Sequence, residues 1–260
     1  MKLELMTITR HELIAHKIYA MTLRGELVKE MKEPGQFIHI KVPRADLGLR
    51  RPISISSISP ETNECVIIYR VEGDGTRVLA ELPVGSEVDV MGPLGTGFDM
   101  SVVEEGETAF LIGGGIGVPP LYEVARQLHA KGVKVYAFLG FATEDAIILE
   151  DEFKQYAELL ISTDDGTYGF KGNSIDLMNT IRVEVEPDAV YSCGAPGMLR
   201  AVDTIFKDHK AAYVSLEARM ACGMGACYAC VCHVQGDETN ELSKKVCDEG
   251  PVFKTGEVIF

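Results

Sequence analysis

Polar and apolar positions alternate from the first residues of this chain, and Leu3-Glu4-Leu5 opens a strand-like run over Leu3–Thr9. Further runs at Ile18–Leu23, Gln36–Val42, Ile53–Ser56, Cys65–Arg70 and Glu87–Met91 are punctuated by glycine and proline. Short strands at that spacing predict a small antiparallel β-barrel. A helix is expected to interrupt it at Arg77–Leu82, capped by Thr76.

The period changes at Glu107. Apolar strands then alternate with amphipathic helices, Thr108–Ile112, Pro120–Lys131 and Val133–Leu139, and later Ala189–Ser192 and Met198–Asp208. That rhythm predicts a parallel sheet with crossover helices. From about Tyr213 the chain is rich in cysteine and glycine and too short for a large core, so it needs a staple such as a metal centre. The expected architecture is multi-domain β plus α/β: an antiparallel barrel over residues 1–100, a parallel-sheet nucleotide-binding domain over 101–212 and a small third domain over 213–260.

Composition removes several function classes. Acidic residues outnumber basic ones, 39 to 25, and the formal charge of −14 repels a phosphate backbone, which argues against a nucleic-acid partner. Apolar stretches such as Ala109–Ile112 and Val133–Leu139 fall far short of the roughly 20 residues of a membrane span. The N-terminus lacks the pattern of a signal peptide, so a cytoplasmic location away from membranes is expected. Five of the seven cysteines lie beyond residue 221, and an odd total without an export signal favours metal ligation over disulfides.

Those cysteines carry the strongest chemical signal. Cys222, Cys227 and Cys230 form C-x4-C-x2-C, and Cys247 follows after sixteen intervening residues. This is the spacing of a plant-type [2Fe–2S] site, in which soft thiolates hold iron while Gly223 and Gly225 let the backbone aim N–H groups at sulfur. The alternative is zinc, although zinc ribbons usually carry two C-x2-C knuckles and one is present here. Alternation over Cys230–Val234 puts Cys230 and Cys232 on one face, so Cys232 is a neighbour or an alternative ligand.

Two further segments suit a nucleotide. Arg51 offers a fork for phosphate, and Gly75 and Thr76 open a helix whose N-terminus welcomes an anion. The run Gly113-Gly114-Gly115-Ile116-Gly117 follows a strand and precedes Pro119-Pro120, and Cys193-Gly194 repeats the strand-then-small-residue arrangement. Both turns can bring backbone amides close to a nicotinamide nucleotide. Glu144 and Asp145 follow the next strand, where a 2′-phosphate would want a cation, so NADH is favoured over NADPH. No acid–base constellation for a small substrate stands out, and no catalytic residue is assigned.

Arg51-Pro52-Ile53-Ser54, Gly92-Pro93-Leu94-Gly95, Gly113–Pro120 and Cys193-Gly194-Ala195-Pro196, in this order, resemble motifs of the ferredoxin–NADP reductase superfamily. With the run Cys222–Cys232 appended, the chain is similar to the electron-transfer subunits of type B dihydroorotate dehydrogenases. The resemblance implies FAD lined by Arg51, Pro52, Ile53, Ser54, Ile68, Tyr69, Arg70, Gly75 and Thr76, with Ile53 standing where the superfamily often has a tyrosine. It implies a [2Fe–2S] cluster on Cys222, Cys227, Cys230 and Cys247, and NADH at Gly113, Gly114, Gly115, Gly117, Cys193 and Gly194. It also implies an FMN-bearing dihydroorotate dehydrogenase catalytic subunit as partner, two copies of each chain, and a place in pyrimidine biosynthesis. Two alternatives compete: a reductase subunit of a ferredoxin-, sulfide- or hydrogenase-linked complex, and a zinc-stapled interaction protein without redox chemistry.

Overall fold

The computed structural model describes residues 1–239 and 241–260. Six strands close a barrel: β1 (Lys2–Ala15), β2 (Ile18–Arg24), β3 (Phe37–Ile40), β4 (Arg51–Ser59), β5 (Glu64–Arg70) and β6 (Glu87–Leu94). Their order is β1-β2-β5-β4-β3-β6, and every pairing is antiparallel. The two-residue period fixes which side chains fill it: Met6 and Ile8 are buried inside, while Leu3 and Leu5 on the other face of β1 are exposed. Helix α1 (Asp74–Ala80) begins earlier than Thr76 as cap would require. Gly73 is the capping residue, and the Thr76 hydroxyl inside the first turn accepts from the amides of Glu72 and Gly73 at 3.1 and 3.3 Å. Those two amides are satisfied from within the helix, which lets it start three residues sooner.

The second sheet contains β7 (Thr108–Gly114), β8 (Lys134–Phe141), β9 (Glu158–Thr163), β10 (Phe170–Lys171), β11 (Ala189–Cys193), β12 (Ala212–Ser215) and β15 (Val252–Lys254). Its order is β10-β9-β8-β7-β11-β12-β15, parallel except for β15, which runs antiparallel to β12. Strand β7 is apolar on both sides because both faces are covered. Ala109 and Leu111 pack with α2 (Pro119–Ala130), whereas Phe110 and Ile112 pack with α4 (Ser174–Arg182) and α5 (Pro196–Ile205); α3 (Glu150–Phe153) is a single turn. No helix among the described residues is long and apolar enough to cross a membrane.

The C-terminal section adds a three-stranded sheet of β14 (Ser243–Lys245), β13 (Val231–Val234) and β16 (Val258–Ile259). It does not stand alone. The core containing Phe110 and Ile112 also contains Phe37, Met91 and Leu94 from the barrel and Cys230, Val246, Cys247 and Phe253 from this section. At the end of β6 the amide of Thr96 donates to Gly250 O at 2.7 Å. A Cβ at Gly95 would lie only 2.5 Å from Pro251 Cδ, so glycine permits that close approach.

Candidate functional site

On the barrel, β4 begins with Arg51, and the Arg51 guanidinium crosses the mouth of α1. A Cβ at Gly75 would lie 2.2 Å from Arg51 Nε, so glycine is required for the side chain to lie there. Arg51 donates to Leu49 O at 2.5 Å and has no carboxylate partner among the described residues, which leaves a cation beside the start of α1. Pro52 and Ser54 are half-buried, and Ile53 pairs with Ile38 and packs with the barrel core. Ile68 leaves that core and packs against the nucleotide-binding sheet. Tyr69 stacks on Tyr19 with ring centroids 6.0 Å apart and meets His11 Nε2 at 2.9 Å through its hydroxyl. Burial drives the Tyr69 hydroxyl well above its ordinary pKa, so it stays protonated.

Arg70 extends from β5 toward the glycine-rich turn, its Nη2 being 3.6 Å from where a Cβ at Gly115 would stand. Gly113 and Gly114 end β7, and residues 115–117 form a single 3-10 turn with Gly115 at a φ of +53°. The parallel register places Cys193 beside Gly113, so the two turns lie side by side at the carboxyl ends of neighbouring strands. They approach closely: a Cβ at Gly117 would sit 2.4 Å from Cys193 O, and one at Gly194 would sit 3.1 Å from Gly114 N. Such a crevice is where open α/β sheets bind nucleotides. Desolvation raises the Cys193 thiol to about 12, so it is neutral there. Met198, from α5, has its Sδ 3.0 Å from the Cβ positions of Gly114 and Gly194 and forms a thioether wall that spacing alone did not reveal.

The four candidate ligands among the five cysteines of the third section come together as two pairs. Cys222 and Cys227 are within hydrogen-bonding reach of one another, and so are Cys230 and Cys247. Among the described residues no three His, Cys, Asp or Glu side chains converge tightly on one point. The C-x4-C-x2-C spacing with a fourth cysteine suits a [2Fe–2S] centre better than one tetrahedral zinc. Backbone amides already face the sulfurs. Met224 N and Cys227 N donate to Cys222 Sγ at 3.5 and 3.4 Å, and Gly225 N donates to Cys247 Sγ at 3.2 Å. Those amides lower Cys222 to about 7, whereas burial raises Cys247 to about 12. Gly223 and Gly225 have φ of +69° and +75°, and a Cβ at Gly225 would stand 2.5 Å from Asp248 Oδ2. Both glycines are therefore structural requirements of the loop. Cys232 in β13 is buried, as is Cys230 just before the strand, in line with the alternation, but the Cys232 thiol donates to Lys244 O at 3.5 Å.

Two residues in this region escaped the sequence reading. His39 lies fully buried in β3, against the thiolate loop. Glu123, only 5% exposed, faces β4 from α2. A histidine within the apolar run Phe37-Ile38-His39-Ile40 was the available signal for the first.

The model for the "Iron-sulfur cluster binding domain of dihydroorotate dehydrogenase B" matches residues 217–259, and that for the "Oxidoreductase NAD-binding domain" matches 111–204. A solved NADH-dependent reduced ferredoxin–NADP oxidoreductase superposes with a TM-score of 0.87 at 28% identity, covering 98% of this chain and 90% of that one. Phthalate dioxygenase reductase, at 18% identity, shares the fold with a TM-score of 0.67 over 94% of each chain. Barrel, nucleotide sheet and paired thiolates define an NAD-linked oxidoreductase that carries electrons to another protein. The chain is 55% identical to the dihydroorotate dehydrogenase B (NAD(+)) electron transfer subunit of Enterococcus faecalis V583 over 99% of its own length and 98% of the relative's, and 53% identical to that of Streptococcus thermophilus LMD-9 over 99% and 98%. It belongs to the family of dihydroorotate dehydrogenase B electron transfer subunits.

Proposed function

We propose that this chain passes electrons between NADH and the FMN-bearing catalytic subunit of dihydroorotate dehydrogenase, in an assembly of two copies of each. In this reading residues 1–100 hold FAD, 101–212 hold NADH and 213–260 hold a [2Fe–2S] cluster. The observation that carries it is the position of Cys230 and Cys247, which share one core with β3 and β6 of the barrel and with Phe110 and Ile112 of β7. When bound, FAD accepts an electron pair as hydride and releases electrons singly, and the cluster carries one at a time.

The chain's own residues do the positioning. Arg51 and the start of α1 bind the pyrophosphate, while Pro52, Ile53 and Ser54 form the stretch of β4 along the flavin and Ile68, Tyr69, Gly75 and Thr76 complete the cradle. Arg70 and the turns at Gly113, Gly114, Gly115, Gly117, Cys193 and Gly194 bring the nicotinamide to the flavin. Glu144 and Asp145 beyond β8 disfavour a 2′-phosphate and select NADH. Cys222, Cys227, Cys230 and Cys247 hold the irons, and the exposed Met224 and Tyr228 mark the face toward the partner. The test is reconstitution with the catalytic subunit. Orotate-dependent NADH oxidation by the pair supports the reading, and its absence with a protein containing FAD and iron contradicts it.

A further inference from the structure

His39 is fully buried, neither Nδ1 nor Nε2 makes a hydrogen bond of full geometry, and the one polar group close to the ring is the Arg50 backbone, too poorly placed to satisfy both nitrogens. Buried polar groups are almost always paired, so an orphaned ring marks a place where a bound group completes the structure. Its position says which group. On β3 it pairs with Pro52 of the flavin-side strand and with Met91 of β6. Phe37, two residues away on the same face, packs in the core that contains Cys230 and Cys247. A Cβ at Gly223 would lie 2.4 Å from His39 Nδ1 but 3.2 Å from Cγ, so the nitrogen edge leads toward the thiolate loop. Gly223 joins Cys222 to Met224, whose amide already donates to Cys222 Sγ. Burial, aided by the Arg50 and Arg51 charges, keeps the ring neutral, so it offers one N–H donor.

We propose that His39 donates its ring N–H to the sulfur shell of the bound iron–sulfur cluster and thereby sets its reduction potential. It acts as a tuning and positioning residue at the seam between flavin barrel and cluster loop. This inference rests on the reading of the four cysteines as a [2Fe–2S] site. An N–H directed at cluster sulfur favours the reduced, more negative state and raises the potential.

The experiment compares wild type, His39→Phe, which keeps a ring without the donor, and His39→Asn, which keeps a short N–H donor. Iron, acid-labile sulfide and flavin are measured first, so that a wild-type protein without a cluster counts against the site reading itself. Redox titration followed by electron paramagnetic resonance then gives the cluster potential, and visible spectra give the FAD potential. The expected result is a more negative cluster potential in His39→Phe, an unmoved FAD potential and recovery toward wild type in His39→Asn. Pulsed resonance on wild-type protein with 15N-labelled histidine needs no variant and should show weak histidine nitrogen coupling to the reduced cluster. No histidine coupling in wild type, an unchanged cluster potential in loaded His39→Phe, or a shift confined to FAD would each overturn the proposal.

Discussion

The Ile58 amide donates to Glu123 Oε2 at 3.1 Å, tying the flavin-side strand β4 to helix α2 of the nucleotide-binding sheet. Arg126 Nη1 binds the same carboxylate oxygen at 2.7 Å and Ile58 O at 3.2 Å, while Gln127 holds the other oxygen at 3.0 Å. A buried carboxylate with all these partners holds the barrel against the parallel sheet, and under the proposed function it sets how nicotinamide meets flavin.

Glu123→Ala strands the Ile58 amide and unpairs Arg126, so it should cost about 2–3 kcal/mol of stability. Glu123→Gln keeps the volume and an acceptor and should cost less. Urea unfolding measures the first effect. Stopped-flow reduction of FAD by NADH measures the second, a slower hydride transfer with unchanged flavin content. Wild-type rates in a Glu123→Ala protein would show that the clamp does not set the reacting geometry.

Cys227→Ser should lose or cripple the cluster, because a neutral hydroxyl is a poor substitute for thiolate on iron. The barrel interior around Met6, Ile8, Met21 and Ile38 contains none of the four cysteines, so FAD should remain and NADH should still reduce an artificial acceptor. Transfer to the catalytic subunit, and with it orotate reduction, should fail. A clusterless variant that supports partner turnover at the wild-type rate would mean that electrons leave from the flavin directly.

Gly117→Ala places a methyl 2.4 Å from Cys193 O, a backbone atom that cannot swing aside. The two nucleotide-side turns must separate, and KM for NADH should rise about tenfold or more, equivalent to at least ~1.4 kcal/mol of lost binding. Flavin and cluster spectra should match wild type. An unchanged KM would remove this crevice from the nicotinamide site.

Protonation of His39 gives a pH dependence of known sign. Its pKa is lowered from 6.5 to about 4 by burial first, then by the charges of Arg50 and Arg51. Between those values the unfolded chain binds the proton and the native one does not, so this contribution falls as pH falls. The loss sets in as pH falls below 6.5, so pH 7.5 and pH 5 bracket its onset. Urea unfolding of wild type and His39→Phe at the two pH values isolates it, since the other groups cancel in the comparison. Equal losses in the two proteins would contradict a neutral buried ring.

The barrel and parallel sheet were legible because each rests on a local period, such as Met6 and Ile8 against Leu3 and Leu5, or the doubly apolar run Ala109–Ile112. The thiolate motif was legible because three of its cysteines sit within one loop. His39 and Glu123 were not, since their meaning comes from Gly223 and Ile58, which are remote in sequence and adjacent only after three sections pack together. Helix α1 began early because a threonine inside the first turn can satisfy the amides that a preceding cap would serve.

Strand β15 comes from the cysteine-rich section yet lies along β12, antiparallel to it, with Val214 opposite Phe253. Without it β12 would expose a row of unpaired amides and carbonyls, the kind of border that recruits other chains. A chain cut after Ser215 would therefore be prone to aggregation, and the redox section doubles as the selvedge that keeps the nucleotide sheet from unravelling into its neighbours.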